Sequence, residues 1–502
     1  MNARRGKVWL VGAGPGDPGL LTIKGARAIA ACDVLVYDYL AVQAIVDLAP
    51  PACERIYAGK KAGTPSIAPA EITALLVRLA REGKRVVRLK GGDGFVFGRS
   101  GEEAQALHAA GVPFEIVPGI TSAIAAPVYA GIPVTHRDHN TTFSISTGHE
   151  DPLKGFTSLD YAKLANPKST TIFLMAMANL TGIVGELRKQ GLPDATPVAI
   201  VREGTKPMQE TLVATLATIV DEVERTQFAA PAVVVIGDVV NERETIRWFD
   251  RAPLFGKRVL VTRPLAQAGE FAQQLWEAGA EPLLAPTIAI GPPDDAAGAW
   301  SAVARVREYA WIIFTSRNAV DAFFDRLGAV GKDVRAFGNC KIAAIGPKTA
   351  AALTAHGIQA DFVPDAFVNE ALADGLLERT VAGQRLLLYR AQEARDVISR
   401  PLGRAGRAVD TVAGYKTSYV TNPELRAIAE GADIVTFTSA STVHGFVHNV
   451  AGAGGLLAPK TVAAIGPITA AAARELGIRV DAVAEEFTVE GLVRALEDAV
   501  TA

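Results

Sequence analysis

The sequence is poor in the residues that staple or metallate a fold. Its three cysteines, Cys32, Cys53 and Cys340, stand in no paired or metal-ligand spacing, so no disulfide framework and no metal site are expected. Such usage suits a reducing compartment, and the cytoplasm is the expected location. Charge of one sign is also lacking. With 51 basic and 53 acidic residues there is no global positive field to hold nucleic acid or a membrane surface, and neither is expected as a partner. Long apolar runs are missing too. After Arg4, Arg5 and Lys7 only a few apolar residues precede Gly12, Gly14 and Asp17, which reads as a first strand rather than a secretory leader. The one uncharged stretch of membrane length, 116–134, is broken by Pro118, Gly119, Pro127, Gly131 and Pro133 and reads as buried loop and short helix.

What is present is the composition of a folded chain, with 49% hydrophobic and 21% charged residues, and 47 glycines and 28 prolines that demand many turns. At 502 residues the chain exceeds one ordinary core, so two to four domains are expected. The first half alternates strand-like segments (7–11, 34–37, 85–89, 114–117, 142–147, 170–175, 197–201 and 232–236) with helical ones (22–31, 70–81). This is an α/β pattern, in which a parallel sheet would present its binding edge at the glycine-rich or polar turns after the strands. The polar stretch 241–250, followed by Arg251, Ala252 and Pro253, breaks the rhythm, and a new strand is predicted at 258–262.

The second half echoes itself. Ile312-Ile313-Phe314-Thr315-Ser316 returns as Val435-Thr436-Phe437-Thr438-Ser439, and Ile345-Gly346-Pro347-Lys348-Thr349-Ala350 returns as Ile465-Gly466-Pro467-Ile468-Thr469-Ala470. The offsets, 123 and 120 residues, are far longer than a solenoid unit and point to two similar α/β lobes with a cleft between them.

Three turns in the first half carry candidate chemistry. Gly12-Ala13-Gly14-Pro15-Gly16-Asp17 lies between a strand and a helix, but it departs from a dinucleotide fingerprint because Pro15 has no amide hydrogen. Taken alone it fits either a ligand-binding loop or a plain turn. Gly91-Gly92-Asp93-Gly94 follows the strand 85–89, and Thr121-Ser122 follows Pro118-Gly119-Ile120. Both leave room for a polar ligand, and both are also ordinary turn chemistry. The serine and threonine motifs of the second half fit helix caps equally well.

The ordered set of Val11 to Gly19, Leu20-Leu21-Thr22, Lys90 to Arg99, Val117 to Ser122, Tyr129 to Arg137 and Thr147-Gly148-His149 resembles the uroporphyrinogen-III C-methyltransferases over about 7–248. The resemblance implies the two-domain tetrapyrrole methylase fold, S-adenosyl-L-methionine as cofactor and a homodimer formed through this half. It carries cofactor positions over to Pro15, Gly91, Gly92, Asp93, Val96, Thr121, Ser122, Met175 and Gly204. The proton acceptor falls on Asp38 and the proton donor on Lys60. A carboxylate suits the first role, because methylation at carbon leaves a cationic pyrrole that must lose a proton. Departures from the family pattern are Pro65, Pro69, Gly94 for proline, Ser100 for glycine, and Leu174 and Ala176 on either side of Met175.

Thr315-Ser316-Arg317-Asn318, the paired Gly-Pro-x-Thr-Ala turns, Tyr415 before Lys416-Thr417, and the ending 484–492 resemble uroporphyrinogen-III synthase over about 256–500. That family has two α/β lobes and uses no cofactor. The resemblance implies substrate contacts at Thr315, Ser316, Thr349, Thr438, Ser439 and Thr469, and a role for Tyr415 in the departure of the substrate hydroxyl. The expected organisation is thus a methyltransferase at 1–248, divided near 135–140, a linker at 249–255, and a synthase at 256–502 with lobes 256–288 plus 420–502 and 289–419. The implied function is cyclisation of hydroxymethylbilane to uroporphyrinogen III, then methylation at C-2 and C-7 to precorrin-2, a precursor open to both sirohaem and cobalamin. Two alternatives stand beside it: an active synthase with an impaired methyltransferase, and a non-catalytic tetrapyrrole-binding scaffold.

Overall fold

The structure, a computed structural model, describes residues 6–59, 68–149 and 158–501. Lys60 and Pro65 lie outside the described residues. Two compact units meet in sequence between Lys257 and Arg258, with residues 275–281 grouped with the first. No helix among the described residues is long and apolar enough to cross a membrane.

The first unit opens with β1 (Lys7–Gly12), β2 (Val34–Tyr37), β3 (Glu54–Tyr57), β4 (Arg85–Lys90) and β5 (Phe114–Val117), in a sheet ordered β3-β2-β4-β1-β5. All neighbouring strands are parallel. Alternate residues feed two cores. Val8, Leu10, Val34, Val36 and Val86 pack with Ile72, Leu76 and Leu79 on one face, while Val11, Leu35, Val87 and Leu89 pack with Ile29 on the other. Pro69, a departure from the family pattern, occupies the first turn of the helix Pro69–Arg81, where its fixed φ and missing N–H suit the position. There Glu71 Oε2 accepts the Ala68 N–H at 3.0 Å.

A second sheet follows, formed by β6 (Thr142–Thr147), β7 (Ser169–Leu174), β8 (Pro197–Arg202), β9 (Glu210–Thr215) and β10 (Ala232–Ile236) in the order β6-β7-β10-β8-β9. The expected strands at 142–147 and 170–175 are β6 and β7, and they pair in parallel. Only β6 and β7 are parallel, and the other pairs are antiparallel. The hydrophobic pattern marks strands but not their direction. β3 and β9 escaped the pattern because both are edge strands with few buried residues.

Two of the cysteines meet in the fold. Cys32 and Cys53 precede the adjacent strands β2 and β3, so the sheet brings their thiols to 3.3 Å, buried and unbridged. Burial and the neighbouring thiol push Cys32 up to about 12.

The second unit holds two five-stranded sheets. One contains β11 (Arg258–Val261), β12 (Glu281–Leu284), β18 (Ile434–Phe437), β19 (Thr461–Ala464) and β20 (Ala482–Val483) in the order β12-β11-β18-β19-β20. The other contains β13 (Ile288–Gly291), β14 (Trp311–Phe314), β15 (Lys341–Ala344), β16 (Arg385–Ala391) and β17 (Ala408–Tyr419) in the order β13-β17-β16-β14-β15. The first part of β17 runs parallel to β16, and its last part pairs antiparallel with β13 from Gly291↔Lys416 to Ile288↔Tyr419. These two segments are the connections between the sheets. β17 bulges at Gly414, whose Cβ would lie 2.2 Å from the Tyr389 ring, so only glycine admits that close approach.

The sequence echo becomes a structural one. Ser316 and Ser439 cap helices with the same backbone angles, φ −166° in each. Gly346 and Gly466 precede helices that begin with proline. The echo also extends to pairs the sequence pattern did not reveal. The carboxylates of Asp361 and Asp481 accept the amides of Ile342 and Val462 at 2.7 and 2.9 Å. The rings of Phe367 and Phe487 lie over Gly346 and Gly466.

Two other departures prove to be coupled. A Cβ at Gly94 would lie 2.4 Å from Ser100 Oγ, so the hydroxyl of Ser100 fills the space that a larger residue at position 94 would need. Ser100 Oγ also donates to Glu103 Oε2 at 3.3 Å. Gly94→Ala alone is therefore expected to destabilise the protein by about 1–3 kcal/mol through overpacking, and Ser100→Gly in the same chain to recover most of that loss. Denaturant unfolding of the two single variants and the double variant measures the coupling, and simple additivity would contradict it.

Candidate functional site

Parallel strands hand over to loops at one edge of the sheet, and in the first unit that edge collects the predicted positions. Residues 13–17 follow β1, Asp38 follows β2, Gly91 to Asp93 follow β4, and Thr121 and Ser122 follow β5. The loops touch backbone to backbone. Gly14 and Gly92 exchange N–H···O bonds of 3.1 and 2.7 Å, and a Cβ on Gly119 would lie 2.3 Å from Gly92 O. Asp93 pins the arrangement by accepting the amides of Phe95 at 2.7 Å and Gly119 at 3.3 Å. Thr121 caps the helix Ser122–Tyr129, whose first residue is Ser122.

A loop of the second sheet meets the loop after β1. Asp17 N–H donates to Thr205 Oγ1 at 3.1 Å, directly beside Gly204, and Tyr129 Oη donates to Asp17 Oδ2 at 2.7 Å. Burial and that carboxylate raise the phenol's pKa, which keeps it a donor. Met175 follows β7 with φ +55° and leaves 51% of its surface exposed, unusual for a large thioether. Left-handed backbone at non-glycine residues gathers in these loops, at Phe97, Arg99, Met175, Glu203 and Thr205. Such strain costs free energy and persists where the surroundings enforce it, a common mark of ligand sites. Val96 lies in the same loop as Phe97, half-buried.

Beneath Asp38 runs an ion network that the sequence reading missed. Arg88, on β4, donates from Nη2 to Asp38 Oδ2 at 3.3 Å and from Nε to Glu103 Oε1 at 3.2 Å. Lys90 lies 3.4 Å from Glu103 Oε2 and donates to the Gly98 carbonyl. Burial pushes Lys90 down from the usual lysine range, partly offset by Glu103. The two cations balance the two carboxylates, so the charges are paired rather than merely buried. A strand residue such as Arg88 at a mostly apolar position, with Glu103 15 residues later, was the available signal.

His136 and His139 gather with Glu242, their donor atoms within 4.8 Å of one another. His139 Nε2 and Glu242 Oε1 already share a hydrogen bond of 2.7 Å, which accounts for the pair without an ion.

In the second unit the strand ends again meet helix N-termini. Ser316 Oγ accepts the Ala319 amide at 3.1 Å and lies 3.0 Å from Tyr415 Oη. The Tyr415 ring is only 7% exposed, packed in the core with Phe314 and Tyr389. Burial raises its pKa, against the hydrogen bonds from Ser316 and Asn318, so the phenol stays protonated at neutral pH. Ser439 Oγ accepts the Thr442 amide at 3.2 Å, and Thr315 and Thr438 are half-buried at the ends of β14 and β18. Thr349 and Thr469 sit inside their helices' first turns at 4% and 5% exposure, so those two hydroxyls are not on an open surface. The turn amides beside them are the outward-facing polar groups at helix N-termini.

The chain matches two protein families: tetrapyrrole (corrin/porphyrin) methylases over residues 7–220, and uroporphyrinogen-III synthase over residues 269–494. It is 39% identical over 495 residues to the porphyrin biosynthesis protein HemD of Ruminiclostridium josui, covering 98% of this chain and 97% of that protein. It is also 42% identical over 337 residues to the uroporphyrinogen-III C-methyltransferase of Bacillus subtilis (strain 168), covering 67% of this chain and 68% of that one. Among solved structures, a Thermus thermophilus uroporphyrin-III C-methyl transferase complexed with S-adenyl homocysteine is similar at 37% identity, over 47% of this chain and 99% of that one, with a TM-score of 0.40. With both families present in order, and a relative alike from end to end, the chain belongs to the fused uroporphyrinogen-III C-methyltransferase and uroporphyrinogen-III synthase family.

Proposed function

We propose that this chain cyclises hydroxymethylbilane, with inversion of ring D, to uroporphyrinogen III and then methylates that product at C-2 and C-7 to precorrin-2. The observation that carries the reading is the end-to-end likeness to a porphyrin biosynthesis protein, with each unit holding polar groups gathered at its strand ends. The cytoplasm is the proposed place of action, and a homodimer through the methyltransferase half is the proposed assembly.

The first unit's rim fits S-adenosyl-L-methionine. Gly12 and Gly119 admit no Cβ without collision and Gly92 has the positive φ that favours glycine, so their backbones form a close-set floor, and Thr121 and Ser122 stand at the edge of it. Pro15, Gly91, Gly92, Asp93, Val96, Thr121, Ser122, Met175 and Gly204 are the residues proposed to hold the cofactor. When bound, it supplies an electrophilic methyl group to a pyrrole carbon. Asp38, oriented by Arg88, accepts the proton that the methylated ring must shed. Lys60, outside the described residues, keeps its proposed role as donor.

In the second unit the work is positioning. A linear tetrapyrrole closes spontaneously to the non-inverted isomer, so the protein must fold it faster into the inverting geometry. The phenol of Tyr415, kept protonated by burial and set by Ser316, donates to the departing hydroxyl. Thr315, Ser316, Thr438 and Ser439 offer hydroxyls to the substrate's acetate and propionate groups, while at Thr349 and Thr469 the turn amides take that part.

Asp38→Asn is nearly isosteric and removes the proton acceptor. Single-turnover methyl transfer should fall by about a hundredfold while equilibrium cofactor binding changes little. Met175→Ala should do the reverse, weakening cofactor binding by about 1–2 kcal/mol, roughly tenfold. Wild-type transfer by the first variant, or unchanged affinity in the second, would remove that residue from its role.

Tyr415→Phe keeps the ring that packs the core and loses the hydroxyl. Enzymatic closure should slow by about tenfold or more, with a larger share of uroporphyrinogen I, while methyl transfer to supplied uroporphyrinogen III holds its rate. An unchanged rate and isomer ratio would exclude the phenol from the reaction.

A further inference from the structure

Arg263 lies just past the end of β11, between Thr262 and the helix Leu265–Glu277. Its Nε is buried and has no hydrogen-bond partner among the described residues. A guanidinium N–H withdrawn from water without an acceptor is unfavourable, and native structures retain such a group where something else satisfies it. The nearby charges are mixed. Arg317 is a like charge beside Arg263, and Arg263 beside Lys348, while Glu270 offsets Arg263, and Glu490 and Glu270 offset Lys348, without any of them accepting from the Arg263 Nε. Burial and these neighbours push both Arg263 and Lys348 below their usual ranges.

The three cations belong to both lobes, at the place where the lobes face each other. Gln267, four residues after Arg263, donates from Nε2 to Asn318 Oδ1 at 2.7 Å, and Asn318 is itself a partner of the Tyr415 hydroxyl. Lys348 Nζ donates to the Phe487 carbonyl at 2.6 Å, again from one lobe to the other. Arg317 opens the helix capped by Ser316 and reaches only a distant partner, Asp321 at 3.5 Å. A positive cluster thus borders the hydroxyl pair of Ser316 and Tyr415, with one buried donor left over.

The geometry points to a carboxylate-binding subsite in which Arg263 grips an acetate or propionate group of the linear tetrapyrrole, with Lys348 and Arg317 sharing its charge. The inference rests on reading the second unit as the synthase and names the residues that read its polyanionic substrate. A planar guanidinium fork matches a carboxylate in two parallel hydrogen bonds, and water exclusion around the buried Nε strengthens them. Anchoring one carboxylate here fixes the chain relative to the Tyr415 hydroxyl, which an inverting closure requires. Arg263 acts by binding, so its loss should appear in KM before kcat.

The test uses the full chain with hydroxymethylbilane as substrate. Arg263→Gln and Lys348→Gln, each checked for an unchanged melting temperature, should raise KM by about tenfold with kcat less affected, and Arg263→Lys should recover part of the loss. KM of the wild-type chain should also rise with added salt, and that slope should flatten in both variants, a signature that a purely structural role would not give. Unchanged KM and salt slope in both glutamine variants, with the wild type still producing uroporphyrinogen III, would overturn the subsite and leave the synthase reading standing. Failure of the wild type to produce that isomer would instead overturn the reading itself, and the subsite with it. If Arg263→Gln lowers the melting temperature, Lys348→Gln decides.

Discussion

A parallel strand that hands over to a helix leaves, at its carboxyl end, a turn whose amides have no partner in the sheet. Adjacent parallel strands bring such turns to one edge. In the first unit this edge gathers Pro15, Asp38, the Gly91 to Asp93 turn and Thr121, which are scattered over more than a hundred residues of sequence. In the second unit the same construction occurs twice, so Ser316 and Ser439 cap equivalent helices on two sheets. The glycines matter here because they let the turns approach closely. Gly12, Gly92 and Gly119 meet backbone to backbone, and a side chain at Gly12 or Gly119 would prop the edge apart.

Close approach also concentrates charge. Asp38 is held by Arg88, which is held in turn by Glu103, with Lys90 completing the set. Breaking one member of such a buried network typically costs about 3–5 kcal/mol, because the partner charge is left uncompensated. The network therefore fixes where Asp38 points while limiting which substitutions this part of the sheet tolerates. In the second unit Arg263 differs from these paired charges, its Nε buried with no hydrogen-bond partner among the described residues.

Much of this was legible in the sequence because its signals were local. Apolar alternation located β1, β2, β4 and β5, and the repeated Thr-Ser and Gly-Pro segments announced two related lobes. Strand direction was not legible, since period-two burial is the same in parallel and antiparallel neighbours, and the sheet of β6 to β10 turned out mixed. Edge strands such as β3 and β9 lack the buried run that marks a central strand. Partners far apart in sequence were invisible as well. Cys32 meets Cys53 only because β2 and β3 are neighbours, and Ser316 meets Tyr415 only because β14 and β17 flank β16 in one sheet. The departures at Gly94 and Ser100 read separately as two irregularities, and in three dimensions they are one exchange of volume.

The central claim is that one chain carries out both reactions in sequence. A time course with hydroxymethylbilane, with and without S-adenosyl-L-methionine, separating products by mass and by isomer, tests it most directly. Without the cofactor the product should be uroporphyrinogen III in place of the spontaneous isomer. With it that product should be consumed to precorrin-2, with two S-adenosylhomocysteine molecules released for each. A folded protein that gave only uroporphyrinogen I, or that left uroporphyrinogen III unmethylated, would contradict the account.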